Sequence, residues 1–282
     1  MSSAWGRSCL LAPRTSSNTA RRQRDDDAQM RDFEESTLWR VSGFERARSL
    51  TGTSGFARLD GPTLLPTTLL ADLRRLDAGG ASNDVLEVAA ACMRHREPAL
   101  LCVQVDGLVW PLTLFPSAML VHSPRDIAQL TPAALGTASL LSAEAPGVRP
   151  PGHWLQERVA HADQYRPLMP LLWALALNGP RGELLAEIAG TAAYRAIKNP
   201  AAEGLALSGA LAPATERLRR ETVSLRSIAS WPGMSVDRAS RLLNALYLAS
   251  ALLATRAHPA ARPAPQGVHG LREMWRGAPT RR

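Results

Sequence analysis

The sequence has little of what several classes of protein depend on. Its three cysteines, Cys9, Cys92 and Cys102, form no C-x-x-C pair and are odd in number. That pattern argues against a disulfide framework or a zinc site and favours a reducing cytoplasm. Aromatic residues make up 5% of the chain and hydrophobic residues 45%, so the core must be mainly aliphatic. No apolar run reaches the roughly 20 residues of a membrane span, and we expect no membrane insertion.

Lysine is almost absent as well, since Lys198 is the single example, and the basic character of the chain comes from arginine. The formal net charge of +8 is unevenly distributed along the sequence. Residues 1–24 and residues 256–282 each carry +5, which leaves −2 for residues 25–255. Because the body of the chain is nearly neutral, the arginine count alone gives weak support for a nucleic-acid partner.

Signatures of catalysis are also missing. The chain contains no G-x-x-x-x-G-K-[ST] or G-x-G-x-x-G phosphate loop and no G-x-S-x-G nucleophile elbow. None of the six histidines pairs with another at metal-ligand spacing on one helix. We therefore predict no catalytic residues, no metal site and no cofactor, although a triad assembled from distant positions would escape these patterns.

Hydrophobic periodicity predicts a small α/β unit over residues 31–150, in which helices precede an antiparallel meander. Asp106-Gly107 is a strong hairpin signal, and Pro111 predicts that its strand is an edge strand or interrupted. The predicted helices are 67–77 and 84–96, and the predicted strands are 99–105, 108–115, 118–122 and 138–143.

A Pro/Gly-rich loop at residues 146–152 separates this unit from a second one, residues 151–258, which is predicted to be all-helical. The predicted helices of the second unit are 167–177, 183–189, 192–197, 213–222, 225–230 and 235–250. Residues 1–30 and 259–282 lack periodicity and are predicted to be disordered tails, with Met30 as an alternative start. The expected fold class is α+β.

The best-defined local signal lies at residues 224–243. Ser224 and Ser235 are each placed to cap a helix, and Gly233 supplies the turn residue between the two helices. The string Ile228-Ala229-x-x-x-Gly233-x-Ser235-x-x-x-x-Ser240-Arg241 resembles the core pattern of helix-turn-helix proteins. Over residues 224–256 the chain is similar to the winged-helix superfamily, with 252–256 as the wing strand.

This resemblance implies that helix 235–249 would enter the major groove if the segment binds DNA. Candidate contacts to DNA or to a partner lie on that helix and just before it: Val236, Arg238, Arg241, Asn244, Arg217, Arg219 and Arg220. Asp237 opposes phosphate, and residues 213–255 carry only +3. We therefore interpret the segment first as a winged-helix scaffold and second as a DNA reader.

A second resemblance covers residues 83–123, where a helix precedes a strand, a turn and two further strands. The stretch ends in Ala118-Met119-Leu120-Val121-His122-Ser123. It is similar to the start of the PATAN domain of bacterial signalling proteins, in which a helix and a β-meander end in a Gly-Arg-hydrophobic-Val-His-Ala phrase. This resemblance implies a protein-interaction module.

The sequence thus predicts a non-enzymatic bacterial regulatory or signalling adaptor in the cytoplasm that acts through protein contacts. The alternative is a transcriptional regulator that binds DNA with helix 235–249. An enzyme with an unrecognised site is a more remote reading. The sequence indicates no oligomeric state.

Overall fold

The computed structural model describes residues 39–52, 54, 56, 64–154 and 156–261. The predicted tail at residues 1–30 lies outside these ranges, as do residues 262–282 of the second tail. The described residues form helices and two antiparallel sheets, which confirms the α+β fold class. No helix in this part of the chain has the length and apolar character needed to cross a membrane.

Helices and strands follow one another along both halves of the chain. The helices are α1 (Val41–Thr51), α2 (Thr67–Ala78), α3 (Val85–His95), α4 (Pro132–Leu135), α5 (Leu168–Asn178), α6 (Leu211–Arg220), α7 (Leu225–Ala229) and α8 (Val236–Leu248). The strands are β1 (Ala99–Val105), β2 (Leu108–Phe115), β3 (Leu120–His122), β4 (Ser139–Glu144), β5 (Tyr165–Pro167), β6 (Ala193–Ala196), β7 (Val223–Ser224) and β8 (Leu252–Thr255).

The first sheet has the strand order β4-β1-β2-β3-β5. Its hairpin between β1 and β2 is confirmed, with positive φ at both Asp106 and Gly107 as a tight hairpin turn requires. The prediction that Pro111 marks an edge or an interruption is wrong, because β2 is continuous and lies between β1 and β3. The proline is tolerated because β3 pairs only with residues 113–115 of β2.

Both faces of this sheet are covered. Side chains alternate across a strand, so Leu101 and Val103 of β1 face the main core, which includes α3 and α5. Leu100 and Cys102 face the opposite way and pack in a smaller cluster with Phe44 of α1. The first half of the chain is therefore a three-layer arrangement of helix, sheet and helices.

Helix α5 joins the two halves. Its residues are apolar nearly all round, and Leu168, Leu172 and Ala176 are fully buried. It packs against α3 on one side and α8 on the other, while the preceding strand β5 pairs with β3. One hydrophobic core thus includes residues from both sides of the loop 146–152, where the sequence suggested a division between two units.

The second half is not all-helical, which corrects the sequence prediction. Residues 192–197 were expected to be helical but form β6, the central strand of a second sheet with the order β7-β6-β8. Tyr194 is fully buried and donates its hydroxyl hydrogen to the Ile188 carbonyl at 2.6 Å, whereas Arg195 is exposed. Pairing and burial override the helical propensity of the alanines here. Residues 183–189 form a loop with a turn instead of the predicted helix.

Candidate functional site

Helices α7 and α8 are consecutive and joined by a turn, and we call this helix pair the helix-turn-helix; both helices begin at the serines that the sequence suggests as caps. Ser224 Oγ accepts a hydrogen bond from the Ser227 amide at 3.3 Å, and Ser235 Oγ accepts one from the Arg238 amide at 3.2 Å. Gly233 has φ +73°, the left-handed conformation that glycine adopts at low cost. Strand β8 follows α8 along the chain, within the range 252–256 that was expected to be a strand.

The face that α8 would offer to DNA is mostly covered. Only its first turn is exposed, with Val236 at 59% and Arg238 beside it. From Ala239 to the end of α8 every residue is buried except Arg241 and Tyr247, which are half-buried. A recognition helix inserts into a groove about 12 Å wide and must present its side chains over more than one turn. In this fold α8 serves mainly as a core helix.

Asn244 is the clearest correction among the predicted contact residues. Its side chain is fully buried. Asn244 Oδ1 accepts a hydrogen bond from the Leu185 amide at 2.9 Å, and its Nδ2 donates to the Glu183 carbonyl at 2.8 Å. Both functions of the amide are therefore used inside the protein, and Asn244 is not accessible to DNA or to a partner.

Arg241 is committed internally as well. Its Nε donates to Asp237 Oδ2 at 2.9 Å, and its Nη1 donates to the carbonyls of Leu177 and Gly179. Those carbonyls belong to the C-terminal end of α5, where acceptors lack a helical partner and a cation is favoured. Arg241 thus caps α5, and only 19% of its side chain is exposed.

The loop at residues 179–190, which follows α5, is held from both sides. Asn244 and Arg241 bind it from α8. On the other side, the carboxylate of Glu87 in α3 accepts a hydrogen bond from the Ala186 amide at 2.9 Å. It also forms an ion pair with Arg181, whose Nη2 lies 2.7 Å away. Arg181 also pairs with Asp84, the residue that caps α3. This loop couples α3 to the helix-turn-helix.

The three predicted arginines of α6 differ in their surroundings. The guanidinium of Arg217 lies 4.5 Å from the centre of the Trp231 ring and pairs with Glu221. Arg219 Nη1 donates to both carboxylate oxygens of Glu216, at 3.0 and 3.1 Å. Arg220 forms no ion pair with any described residue. Arg219 and Arg220 lie together beside the second sheet, apart from the exposed turn of α8.

A groove of about 490 Å³ opens between α6 and this sheet, and we call it the wing groove. Arg195 pairs across the sheet with Leu253, so both side chains stand on the same face. Ile197 is 57% exposed and Leu253 is 50% exposed, and Arg195 forms no ion pair within the described ranges. The lining residues are Arg195, Ala196, Ile197, Glu216, Arg219, Arg220 and Leu253.

Sequence reasoning identified only the arginines of α6 in this groove. It missed Arg195 and Ile197 because 192–197 was assigned to a helix, and it missed Leu253, in the predicted strand 252–256, because the strand that pairs with it was not recognised. The alternation of apolar Tyr194, polar Arg195 and apolar Ala196 was the available signal for a strand, and in the structure Tyr194 and Ala196 are buried while Arg195 is exposed.

Groups that would serve in catalysis are mostly held in structural roles. His95 Nε2 lies 2.6 Å from Asp72 Oδ2, and this hydrogen bond, with Arg94, keeps the pKa of Asp72 below its ordinary value despite burial. Burial raises the pKa of the Cys92 and Cys102 thiols to about 12, so neither is a thiolate at neutral pH. In the described ranges, His, Cys, Asp and Glu residues form no group of three that could hold a metal ion.

No protein-family model matches the chain, and neither a curated protein nor a solved structure matches it. Its function therefore has to be argued from the geometry of its own surface.

Proposed function

We propose that the protein is a non-enzymatic regulatory adaptor of the bacterial cytoplasm, and that it binds an acidic, extended segment of a partner protein in the wing groove. The observation that carries this proposal is that cationic and exposed apolar side chains lie together in this groove. Two arginines without an ion-pair partner among the described residues, Arg195 and Arg220, adjoin two exposed apolar side chains, Ile197 and Leu253.

The edge of the second sheet suggests how such a segment binds. Strand β8 is an edge strand in the order β7-β6-β8, and an extended peptide can add to an edge through main-chain hydrogen bonds. Alternate side chains of the added strand would face the same side as Leu253. Apolar residues there contact Leu253 and Ile197, while carboxylates bind the guanidinium groups of Arg195 and Arg220.

A protein partner fits the groove better than DNA does. Exposed Ile197 and Leu253 have no role against a phosphate backbone, and Glu216 repels it. Helix α8, the helix that would enter the groove, exposes only its first turn, which weakens the alternative of a DNA-binding regulator. The buried free thiols of Cys92 and Cys102 are compatible with the proposed reducing compartment.

The test uses a fluorescein-labelled octapeptide that alternates glutamate and valine, titrated with the full chain and followed by fluorescence polarisation. We expect saturable binding to the wild type. The double variant Arg195→Glu/Arg220→Glu should bind at least about tenfold more weakly, because each change replaces an attraction with a repulsion. A peptide that alternates lysine and valine should not bind.

The matched control is Arg46→Glu/Arg74→Glu, which alters net charge equally at exposed positions of α1 and α2. It should bind the acidic peptide nearly as well as the wild type. Equal weakening by both double variants would reduce the effect to net charge and contradict the proposal, as would the absence of peptide binding. Tighter binding of a labelled DNA duplex, lost when Arg238 in the exposed first turn of α8 is replaced by alanine, would favour the DNA-binding regulator instead.

A further inference from the structure

A second cleft, of about 600 Å³, lies at the edge of the first sheet and shares no residue with the wing groove. This volume is in the range of small-molecule sites. It contains the loop that follows β3 and the residues around β5. The lining residues are Trp39, Leu108, Ser123, Pro124, Arg125, Asp126, Ile127, Gln129, Asp163, Gln164 and Arg166.

Arg125 is the distinctive residue of this cleft. Its guanidinium carbon lies 4.2 Å from the centre of the Trp110 ring and 5.2 Å from that of the Trp39 ring. Contacts of this kind hold a guanidinium in place and leave its N–H groups for other partners. Within the described part of the chain, the buried Nη1 has no hydrogen-bond partner and Arg125 forms no ion pair.

The surroundings of Arg125 are built around it. Trp110 is 4% exposed and belongs to the main core, so the ring is fixed. The Arg125 amide donates to Ser123 Oγ at 3.2 Å, which fixes the backbone at the cleft floor. Burial lowers the pKa of Arg125 from its ordinary value, yet a guanidinium stays charged at neutral pH. A fixed, partly desolvated cation with open donors attracts an anion more strongly than a solvated one does.

The other charges in the cleft limit the kind of anion. Arg166 adds a second guanidinium, but Asp126 and Asp163 also line the site. Asp126 Oδ1 is engaged by the Ala128 amide at 3.1 Å. Two carboxylates oppose a multiply charged group such as phosphate far more than they oppose a single carboxylate. Trp39 and Ile127 provide apolar contact for the rest of a ligand.

We propose that this cleft binds a small organic monocarboxylate, with Arg125 binding the carboxylate and Trp39 contacting the apolar part. The cleft combines one guanidinium held against two indole rings, further polar and charged groups, and the apolar side chains of Trp39, Leu108 and Ile127. Arginine suits this role because its planar fork matches the two oxygens of a carboxylate. The site is independent of the wing groove, so either proposal can fail without the other.

Phenylacetate serves as the probe, because it joins a flat ring to one carboxylate, and phenylacetamide is its neutral analogue. Isothermal titration of the wild-type chain with phenylacetate should give a dissociation constant on the order of 1 mM, as expected for so small a ligand. Phenylacetamide should bind at least about tenfold more weakly, since it lacks the charge. This comparison needs no variant and does not depend on how a substitution folds.

Arg125→Met should abolish measurable phenylacetate binding, and Arg125→Lys should retain part of it, because lysine keeps the charge but not the fork. Arg74→Met, at an exposed position of α2, is the control and should bind like the wild type. The proposal is overturned if phenylacetate gives no heat up to roughly 20 mM, if phenylacetamide binds equally well, or if Arg125→Met still binds. Arg125-dependent binding of inorganic phosphate in preference to phenylacetate would also overturn it.

Discussion

Replacing Asn244 by alanine should destabilise the whole fold. The change removes the acceptor of the buried Leu185 amide and the donor to the carbonyl of Glu183, an exposed residue whose hydrogen bond is partly buried. The buried Leu185 amide left without a partner costs about 1–3 kcal/mol, and loss of the partly buried bond to Glu183 costs about 1 kcal/mol more. Together we expect a loss of about 2–4 kcal/mol, a large share of the roughly 5–15 kcal/mol that stabilises a typical domain.

The measurement is urea unfolding at neutral pH, followed by circular dichroism. Asn199→Ala is the matched control. Asn199 Oδ1 accepts one hydrogen bond, from the Ala201 amide at 3.1 Å, at an exposed turn. We expect that control to lose no more than about 1 kcal/mol. Asn244→Asp should be as damaging as alanine, because a second oxygen would face the Glu183 carbonyl.

A loss below about 0.5 kcal/mol for Asn244→Ala would refute the reasoning, since that is the scatter of ordinary surface substitutions. The result also separates two roles for this residue. A base-reading asparagine would tolerate alanine in the free protein and show its cost only in DNA affinity. A buried brace shows its cost in the free energy of unfolding.

Three further changes test other parts of the structure. Burial lowers the pKa of His122 from 6.5 to about 4. The free energy of unfolding should therefore be highest above pH 6.5 and fall by up to about 3 kcal/mol as the pH drops toward 4. Urea unfolding of His122→Gln should show a flatter dependence of this free energy on pH, and an unchanged pH dependence would assign the effect to other groups. Arg181→Met leaves the buried carboxylate of Glu87 without its ion-pair partner and should lower the free energy of unfolding by about 3–5 kcal/mol. Adding Glu87→Gln should restore much of this loss. A double variant no more stable than the single one would exclude the coupling. Gly233→Ala forces alanine to φ +73° and places its Cβ 2.8 Å from that of Ala210, so the unfolding free energy should fall by more than about 1 kcal/mol; Ala210→Gly should relieve only the steric part, and full recovery would mean that the backbone cost is negligible.

The features that the sequence predicted well depend on near neighbours. Asp84 caps α3 by accepting from the amides two and three residues ahead, and Ser235 caps α8 by accepting from the amide three residues ahead. The turn at Asp106-Gly107 is equally local. Such contacts have a fixed offset along the chain, so a pattern of residue types indicates them.

The features that the sequence did not predict depend on distant partners. Asn244 binds residues about 60 positions earlier, and its polar side chain in an otherwise ordinary helix suggested a surface contact. Strand β6 takes its conformation from β7 and β8, which follow it by more than 25 residues. The wing groove is formed by residues of β6, α6 and β8, which are far apart in the sequence. Only its arginines on α6 were therefore visible as a cluster.

The burial of α8 determines how the helix-turn-helix can be inherited and handled. Leu242, Leu243 and Leu246 are fully covered in the intact chain. A gene fragment that encodes only residues 211–255 lacks α5. In a new protein these leucines would be exposed, and Arg241 would no longer have the helix end that it caps. The segment therefore cannot be transferred to another protein as an independent unit. A change in the length or tilt of α5 requires a matching change in α8, so we expect the two helices to diverge as a pair.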